Sequence, residues 1–176
     1  MSKPTIYTIG HSLHTLDAFL ALLRLHAIGA VGDVRTLPRS GRAPQFNREP
    51  LARALKTEGF AYVYLGAELG GRPQCEAYYT EKGHARYDLM AKDSLFLAGI
   101  ERLLVGCAKY RIALMCSEGD ACICHRHNLI APILAERGVD VFHILKDGGL
   151  SKYGAGTLMI PSLGNSPKPV RPKPVS

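Results

Sequence analysis

The hydrophobic and polar positions of this chain alternate between two patterns. Short runs rich in apolar and β-branched residues predict strands, and longer segments with apolar residues at helical spacing predict helices. The predicted strands are Thr5–Ile9, Ala30–Val34, Phe60–Leu65, Arg111–Cys116 and Val139–Leu145. The predicted helices are Thr15–His26, Pro50–Gly59, Ser94–Tyr110 and His125–Gly138, the last weakened at Pro132, and a helix is also favoured over Cys75–Lys92.

This alternation predicts an α/β fold, in which one three-layer domain has a central, mostly parallel five-stranded sheet flanked by helices. We expect the domain to span residues 1–161 and the proline- and lysine-rich residues 162–176 to form a disordered tail. In such a sheet the carboxyl ends of the parallel strands share one edge, and ligands bind in the crevice outside that edge.

Residues capable of chemistry follow the predicted strands at this edge. His11 and Ser12 follow the first strand, Asp33 lies near the end of the second with Arg35 directly after it, and Cys116 ends the fourth. Because several strands deliver polar groups to the same edge, the sequence predicts a functional site there. We expect His11 to act as a general base, Asp33 to orient it, and Arg35 to bind an anion. A structural Asp33–Arg35 pair, and a His11 that only bonds to backbone, are the alternatives.

The segment from Cys116 to Arg126 is the most informative part of the chain. His125 and Arg126 open a predicted helix, where their positive charge opposes the helix dipole. An anion bound at the helix start would explain this arrangement, and the same environment would lower the pKa of Cys116 or Cys124. Glu118, two residues after Cys116, is a candidate base or nucleophile. The alternative is a buried structural Cys116 and an Arg126 that pairs with Glu118.

The same segment contains enough sulfur and nitrogen ligands for zinc. The spacing C-x5-C-x-C-H-x-H, over Cys116, Cys122, Cys124, His125 and His127, is not a usual structural-zinc pattern, and no second knuckle accompanies it. We therefore expect no metal and no other cofactor.

Composition limits the class of protein and its partners. No apolar run approaches the roughly 20 residues that span a bilayer, and the N-terminus lacks a signal-peptide pattern. The five cysteines are an odd number, which favours thiols over a disulfide framework. We expect a cytoplasmic protein that does not bind membranes. Of the net charge of +7, the tail residues Lys168, Arg171 and Lys173 supply a large part, so a nucleic-acid partner is allowed but not required.

The loop from Arg35 to Pro50 bears on the same question. It places several arginines beside Phe46, a composition that suits phosphate contacts and base stacking, although a solvated loop would have it too.

With these residues in view, the chain resembles a prokaryotic family catalogued only as domain of unknown function 488. The resemblance rests on TIGHS at 8–12, DVR at 33–35, Pro38 with Ser40, PQFN at 44–47, LGAELGG at 65–71, and the Cys–Glu–CHR run at 116–126. It extends to about Gly149 and implies an α/β fold with a shared site, to which Ser40 and Asn47 belong as candidate substrate-binding residues. The resemblance implies no reaction.

A weaker similarity links the chain to rhodanese-type sulfurtransferases. A DVR-like triplet ends a strand in those enzymes, and a later strand ends in a nucleophilic cysteine, as do DVR at 33–35 and LMCSEG at 114–119 here. The loop after Cys116 is longer than the rhodanese loop, and Arg126 lies too far along to match its last residue.

These observations lead to one functional expectation with two alternatives. We expect an enzyme, a hydrolase or transferase, that acts on an anionic, phosphate-bearing substrate such as a nucleotide or a nucleic-acid end. Arg35, Cys124, His125 and Arg126 would bind the anion together with Ser12. Cys116 or Glu118 would be the nucleophile or base. The alternatives are sulfur transfer through a persulfide on Cys116 and a non-catalytic nucleic-acid-binding module.

Overall fold

The structure, a computed structural model, describes residues 3–155. The strands are β1 Thr5–Gly10, β2 Ala30–Asp33, β3 Ala61–Tyr64, β4 Ile112–Cys116, β5 Asp140–Ile144 and β6 Leu150–Lys152. The helices are α1 Leu16–Leu25, α2 Arg48–Thr57, α3 Gly66–Leu69, α4 Tyr87–Met90, α5 Ser94–Cys107 and α6 Ala131–Glu136. The predicted tail and the domain boundary before it lie outside the described residues. In the described part of the chain, no helix is long and apolar enough to cross a membrane.

The strands form one sheet in the order β3-β2-β4-β1-β5-β6. The neighbouring pairs among β1 to β5 are parallel, and β6 runs antiparallel to β5 at one edge. The predicted α/β class with a mostly parallel sheet is confirmed, but the predicted strand count of five is wrong, since the sheet has six strands. The added strand has only three residues and follows a tight turn in which Gly148 has a φ of +89°. A run this short carries no detectable period.

Apolar side chains cover both faces of the sheet, as expected for parallel strands. One buried cluster joins α1 and α2 to the sheet, and the other joins α3, α5 and α6 to the opposite face. Successive residues of β1 alternate between them, with Ile6 in one cluster and Tyr7 and Ile9 in the other. The helices cover the two faces of the sheet but not the edge formed by the carboxyl ends of the parallel strands.

The helix predicted over Cys75–Lys92 is wrong. The segment contains a 3-10 turn at Glu76–Tyr78, an isolated bridge between Tyr79 and Ala85, and only the short α4. Gly83 adopts a φ of +75°, which is favourable for glycine but interrupts a helix. Local hydrogen bonds therefore replace the helical ones in this segment.

The helix predicted over His125–Gly138 is divided into two parts. A π-helical turn covers Arg126–Ile130, and α6 follows from Ala131. The backbone N–H of Ala131 donates to the carbonyl of Arg126, five residues earlier, and Pro132 has no N–H to continue an α-helical ladder. The weakness predicted at Pro132 thus takes the form of one wide turn just before it.

Candidate functional site

A cleft of about 330 Å³ lies at the carboxyl edge of the sheet, where β2 and β4 end side by side. Its wall combines the loop after β2, the loop after α3, and the segment after β4. The lining residues are Arg35, Thr36, Leu37, Arg39, Ser40, Gly71, Arg72, Tyr87, Cys116, Ser117, Glu118, Ile123 and His125. Three of them are arginines and only Glu118 is acidic, so the cleft favours an anionic occupant.

Two cysteine thiols lie together at the inner end of this cleft. Cys116, the last residue of β4, is 5% exposed, and Cys124 is 2% exposed. The Cys116 thiol donates to Oε2 of Glu118 at 2.7 Å, and Cys124 Sγ lies 3.5 Å from the same oxygen. Neither cysteine forms a disulfide bond.

The two thiols differ in acidity. The hydrogen bond to Cys124, together with burial, raises the pKa of Cys116 well above its usual value. Burial also acts to raise the pKa of Cys124, but the hydrogen bond from Cys116 and the positive charge of Arg126 bring it well below the usual value. The pair therefore favours one thiolate, on Cys124, beside one protonated thiol.

His125 directs one ring nitrogen at both sulfurs. Its Nε2–H donates to the carbonyl of Val34 at 3.0 Å, which leaves Nδ1 3.6 Å from Cys124 Sγ and 3.9 Å from Cys116 Sγ. Gly71 packs against the ring, where an added Cβ would lie 2.6 Å from Cγ of His125. The glycine-rich segment at 65–71 thus allows close approach of the backbone to the imidazole.

Arg126 is a buried cation behind the cleft, with a side chain 1% exposed. Its Nε donates to Cys124 Sγ at 3.2 Å, Nη1 to the hydroxyl of Thr8 at 3.0 Å, and Nη2 to the backbone carbonyl of Glu118 at 2.6 Å. Within residues 3–155 it forms no ion pair with a carboxylate. The predicted alternative, in which Arg126 pairs with the Glu118 side chain, is therefore wrong, because the guanidinium contacts the main chain of Glu118 instead.

A second buried cation, Arg35, is neutralised. Asp33 accepts from its Nε at 2.9 Å and from its Nη2 at 2.7 Å, and Tyr62 donates a further hydrogen bond to Asp33 at 2.8 Å. Nη1 of Arg35 lies 3.2 Å from Nε2 of His11, whose Nδ1 lies 2.9 Å from the Ser12 carbonyl. Burial, above all, lowers the pKa of His11 to about 4. His11 is therefore neutral at pH 7, with Nδ1 as donor and Nε2 as acceptor.

The structure brings most of the predicted site residues together. Those on the cleft wall are Arg35, Ser40, Cys116, Glu118 and His125. Directly behind the wall are His11, Asp33, Cys124 and Arg126, each at most 3% exposed.

Two predicted residues lie apart from the wall. Asn47 accepts a hydrogen bond from the backbone N–H of Ser40 at 2.7 Å and so shapes the loop after β2. Ser12 lines a separate cavity of about 440 Å³.

A series of hydrogen-bonded polar side chains behind Arg126 was not predicted from the sequence. The Thr8 hydroxyl lies 2.7 Å from Nδ1 of His143, and Nε2 of His143 lies 3.0 Å from Nδ1 of His127. The available signal was one polar residue, Thr8 or His143, inside each of two strands whose other interior positions carry apolar or aromatic side chains. Arg72 was also missed, because it lies in a loop with no distinctive pattern, yet it lines the cleft.

Comparison with known proteins identifies the family of this chain. The family model described as "Domain of unknown function DUF488" matches residues 15–133, more than half of the chain. No curated protein and no solved structure matches. The match covers the end of β2 with Asp33 and Arg35, the glycine-rich segment, and the run from Cys116 to Arg126. The chain therefore belongs to the DUF488 family.

Proposed function

We propose that this protein is an enzyme that acts on a small anionic, phosphate-bearing substrate in the cleft at the carboxyl edge of the sheet. The observation that carries this proposal is the composition of the cleft wall. Three arginines face one acid there, and a thiol, a carboxylate and an imidazole share the same wall. Such a site has both an anion-binding surface and groups that transfer protons or attack an electrophile.

The exposed arginines Arg39 and Arg72 carry the net positive charge of the cleft. Arg35 lies deeper, and its charge is balanced by Asp33. Hydrogen bonds to Asp33, the Phe46 carbonyl and His11 already use four of the five N–H groups of Arg35, so one N–H, fixed in direction, is left for a ligand. A preorganised donor of this kind binds an anion without the cost of ordering a flexible side chain.

A nucleotide-sized substrate fits these facts better than a long nucleic acid. Of the arginines in the loop from Arg35 to Pro50, Arg35 is buried and Arg48 stacks over the Tyr64 ring at 4.3 Å. The loop therefore offers fewer phosphate contacts than its composition indicates. A volume of about 330 Å³ also lies in the lower part of the usual range for small-molecule sites, roughly 300–1,000 Å³.

The contacts also separate reactive groups from positioning groups. Glu118 and His125 lie on the cleft wall and are the groups suited to proton transfer. His11 accepts from Arg35 and has a pKa of about 4, so it orients the guanidinium and is a positioning residue in this proposal.

Binding of inorganic phosphate and of a nucleoside monophosphate, measured by isothermal titration calorimetry, tests the proposal. Each ligand should bind the wild-type protein with a stoichiometry of about one. Arg72→Gln should weaken binding about tenfold or more, because a charge-assisted hydrogen bond is worth roughly 1.5–3 kcal/mol. Arg53→Gln on α2, an exposed arginine away from the cleft, is the matched control and should bind normally. Equal binding by both variants would refute the assignment of the cleft.

Sulfur transfer is the second candidate, since Cys116 lies on the cleft wall with a second thiol beside it. A Cys116 thiolate would attack the outer sulfur of thiosulfate, form a persulfide S–S bond and release sulfite. The raised pKa of Cys116 opposes this reaction, which ranks it second. A mass gain of one sulfur atom after thiosulfate treatment, lost in Cys116→Ser but kept in Cys122→Ser, would establish it.

A further inference from the structure

We propose that Cys116, Cys124, His125 and Glu118 form a transition-metal site, and that zinc is the ion it fits best. The inference goes beyond the proposed function and does not depend on the identity of the substrate. Cys116 Sγ, Cys124 Sγ and a ring nitrogen of His125 lie within 4.8 Å of one another, and all three residues are buried. Thiolate and imidazole ligands are the set that zinc uses most often in proteins.

The distances between the donor atoms suit one tetrahedral ion. Zinc bonds of about 2.3 Å to sulfur and about 2.0–2.2 Å to nitrogen and oxygen place neighbouring ligand atoms roughly 3.5–3.8 Å apart. Here Nδ1 of His125 lies 3.6 Å from Cys124 Sγ and 3.9 Å from Cys116 Sγ. Oε2 of Glu118 lies 3.5 Å from Cys124 Sγ and 2.7 Å from Cys116 Sγ. Of these four separations only the last must widen, and it is a hydrogen bond that metal binding would replace. The Glu118 carboxylate must also move toward Nδ1 of His125, because only Cys116, Cys124 and His125 have donor atoms that all lie within 4.8 Å of one another.

The surrounding hydrogen bonds are those that support metal ligands. A metal-bound histidine usually donates its other ring N–H to a carbonyl or carboxylate, which fixes its tautomer and orientation. Nε2–H of His125 donates to the Val34 carbonyl in this way and leaves the Nδ1 lone pair facing the sulfurs. Nε of Arg126 donates to Cys124 Sγ at 3.2 Å, as hydrogen-bond donors around a metal site do to a ligating thiolate.

A bound ion would also balance the buried charge. Two thiolates and the Glu118 carboxylate bring three negative charges, and a divalent ion with the Arg126 guanidinium brings three positive ones. Arg126 is 1% exposed and has no carboxylate ion pair in the described part of the chain, where the Cys124 thiolate is the anion beside it, and the bound ion would keep this buried cluster neutral.

The site has an entry path and faces the substrate cleft. Cys116, Glu118 and His125 all line the cleft of about 330 Å³, whereas Cys124 closes the inner side. With four protein ligands the ion would have no open position for a substrate, so it would hold the segment after β4 in place beside the anion bound by Arg39 and Arg72. Since the thiolates, Glu118 and His125 would be ligands, this inference competes with persulfide formation on Cys116 and with proton transfer by Glu118 and His125, but not with anion binding by Arg39 and Arg72.

Metal content of the tag-free full-length chain tests the inference. The protein is exposed to zinc under reducing conditions, passed through a desalting column, and analysed by inductively coupled plasma mass spectrometry. We expect about one zinc per chain in the wild-type protein and at least a tenfold lower content in Cys124→Ser. Cys122→Ser is the matched control, because Cys122 is two residues away but outside the cluster, and it should retain the full zinc content.

A second measurement covers the case in which a ligand variant fails to fold. Cobalt added to the wild-type protein should give a near-ultraviolet thiolate-to-cobalt band, and zinc X-ray absorption should detect two sulfur scatterers at about 2.3 Å. Wild-type protein that retains no zinc and gives no thiolate band would overturn the inference, as would equal zinc loss in Cys122→Ser and Cys124→Ser. Arg72→Gln should keep its zinc while losing phosphate affinity, so the metal site and the proposed substrate site can fail separately.

Discussion

Replacement of Asp33 by asparagine tests the electrostatic basis of the site most directly. Asp33 is fully buried and accepts hydrogen bonds from the side chains of Arg35 and Tyr62 and from the backbone N–H of Arg35. The substitution preserves size but removes the charge, so the Arg35 guanidinium, 3% exposed, stays buried without its counter-ion. Breaking a buried pair from one side costs about 3–5 kcal/mol.

Urea unfolding followed by circular dichroism measures this loss. With a slope of about 2 kcal/mol per M for a protein of this size, the midpoint should fall by roughly 1.5–2.5 M. Small domains are stable by only about 5–15 kcal/mol, so the variant should still fold but over a narrower range of conditions.

The chain contains a matched control for this experiment. Arg86 and Asp88 form another ion pair whose members are two residues apart, but their side chains are 43% and 63% exposed. Asp88→Asn makes the same chemical change in solvent, where an ion pair contributes little. We expect its midpoint to match the wild-type value. If Asp33→Asn and Asp88→Asn shift the midpoint equally, burial does not determine the strength of the Asp33–Arg35 pair and the reasoning fails.

Three further predictions concern the supports of the site. Gly10→Ala would place a Cβ 1.9 Å from the Glu118 carbonyl oxygen, so urea unfolding should reveal a loss of about 1–3 kcal/mol in the free energy of unfolding. Gly41→Ala is the control and should cause no such loss, because a Cβ at Gly41 would meet no atom within 4 Å. Tyr62→Phe removes one hydrogen bond to Asp33 and should lower the free energy of unfolding by about 1.5 kcal/mol. This is less than the loss expected for Asp33→Asn, and equal losses in the two variants would contradict the prediction. Burial, then the Arg126 charge, lowers the pKa of His143 to about 4. The unfolded chain therefore binds a proton that the folded chain does not, so the free energy of unfolding should fall as the pH drops from about 6.5 to about 4. The fall should be smaller in His143→Gln, and an equal dependence on pH in that variant and the wild-type protein would contradict the prediction.

The sequence predicted the parts of the fold that rest on long, regular patterns. The strands ending at Asp33 and Cys116 were predictable because buried parallel strands are continuous apolar runs with polar groups at their ends. Strand β6 was not, because Leu150–Lys152 is too short to have a period and owes its place to pairing with β5. The helix expected over Cys75–Lys92 failed because turns around Gly83 compete with helical hydrogen bonds.

For the site, the sequence predicted which residues meet but not which atoms face each other. The edge of a parallel sheet brings Arg35, Cys116 and His125 together whatever their rotamers. That Arg126 would turn inward to Thr8 depends on side-chain packing between elements distant in the chain. The Asp33–Arg35 pair, whose members are two residues apart, was one of the alternatives that the sequence offered. The sequence likewise contained enough sulfur and nitrogen ligands for zinc but in no usual zinc spacing, because the approach of Cys124 and His125 to Cys116 arises from the fold of the loop after β4.

The π-helical turn at Arg126–Ile130 allows one segment of the chain to contact both the cleft and the sheet. In an ordinary helix each residue is rotated by about 100° from the one before it. If the segment were one continuous α-helix, the packing of Leu129 and Leu134 in the cluster against the sheet would therefore fix the direction of the His125 side chain. The additional residue in the turn uncouples these directions. Shortening the turn by one residue would leave the apolar side chains in place and swing His125 and Cys124 away from Cys116. The additional residue thus allows Cys124 and His125 to be oriented independently of the apolar side chains that pack against the sheet.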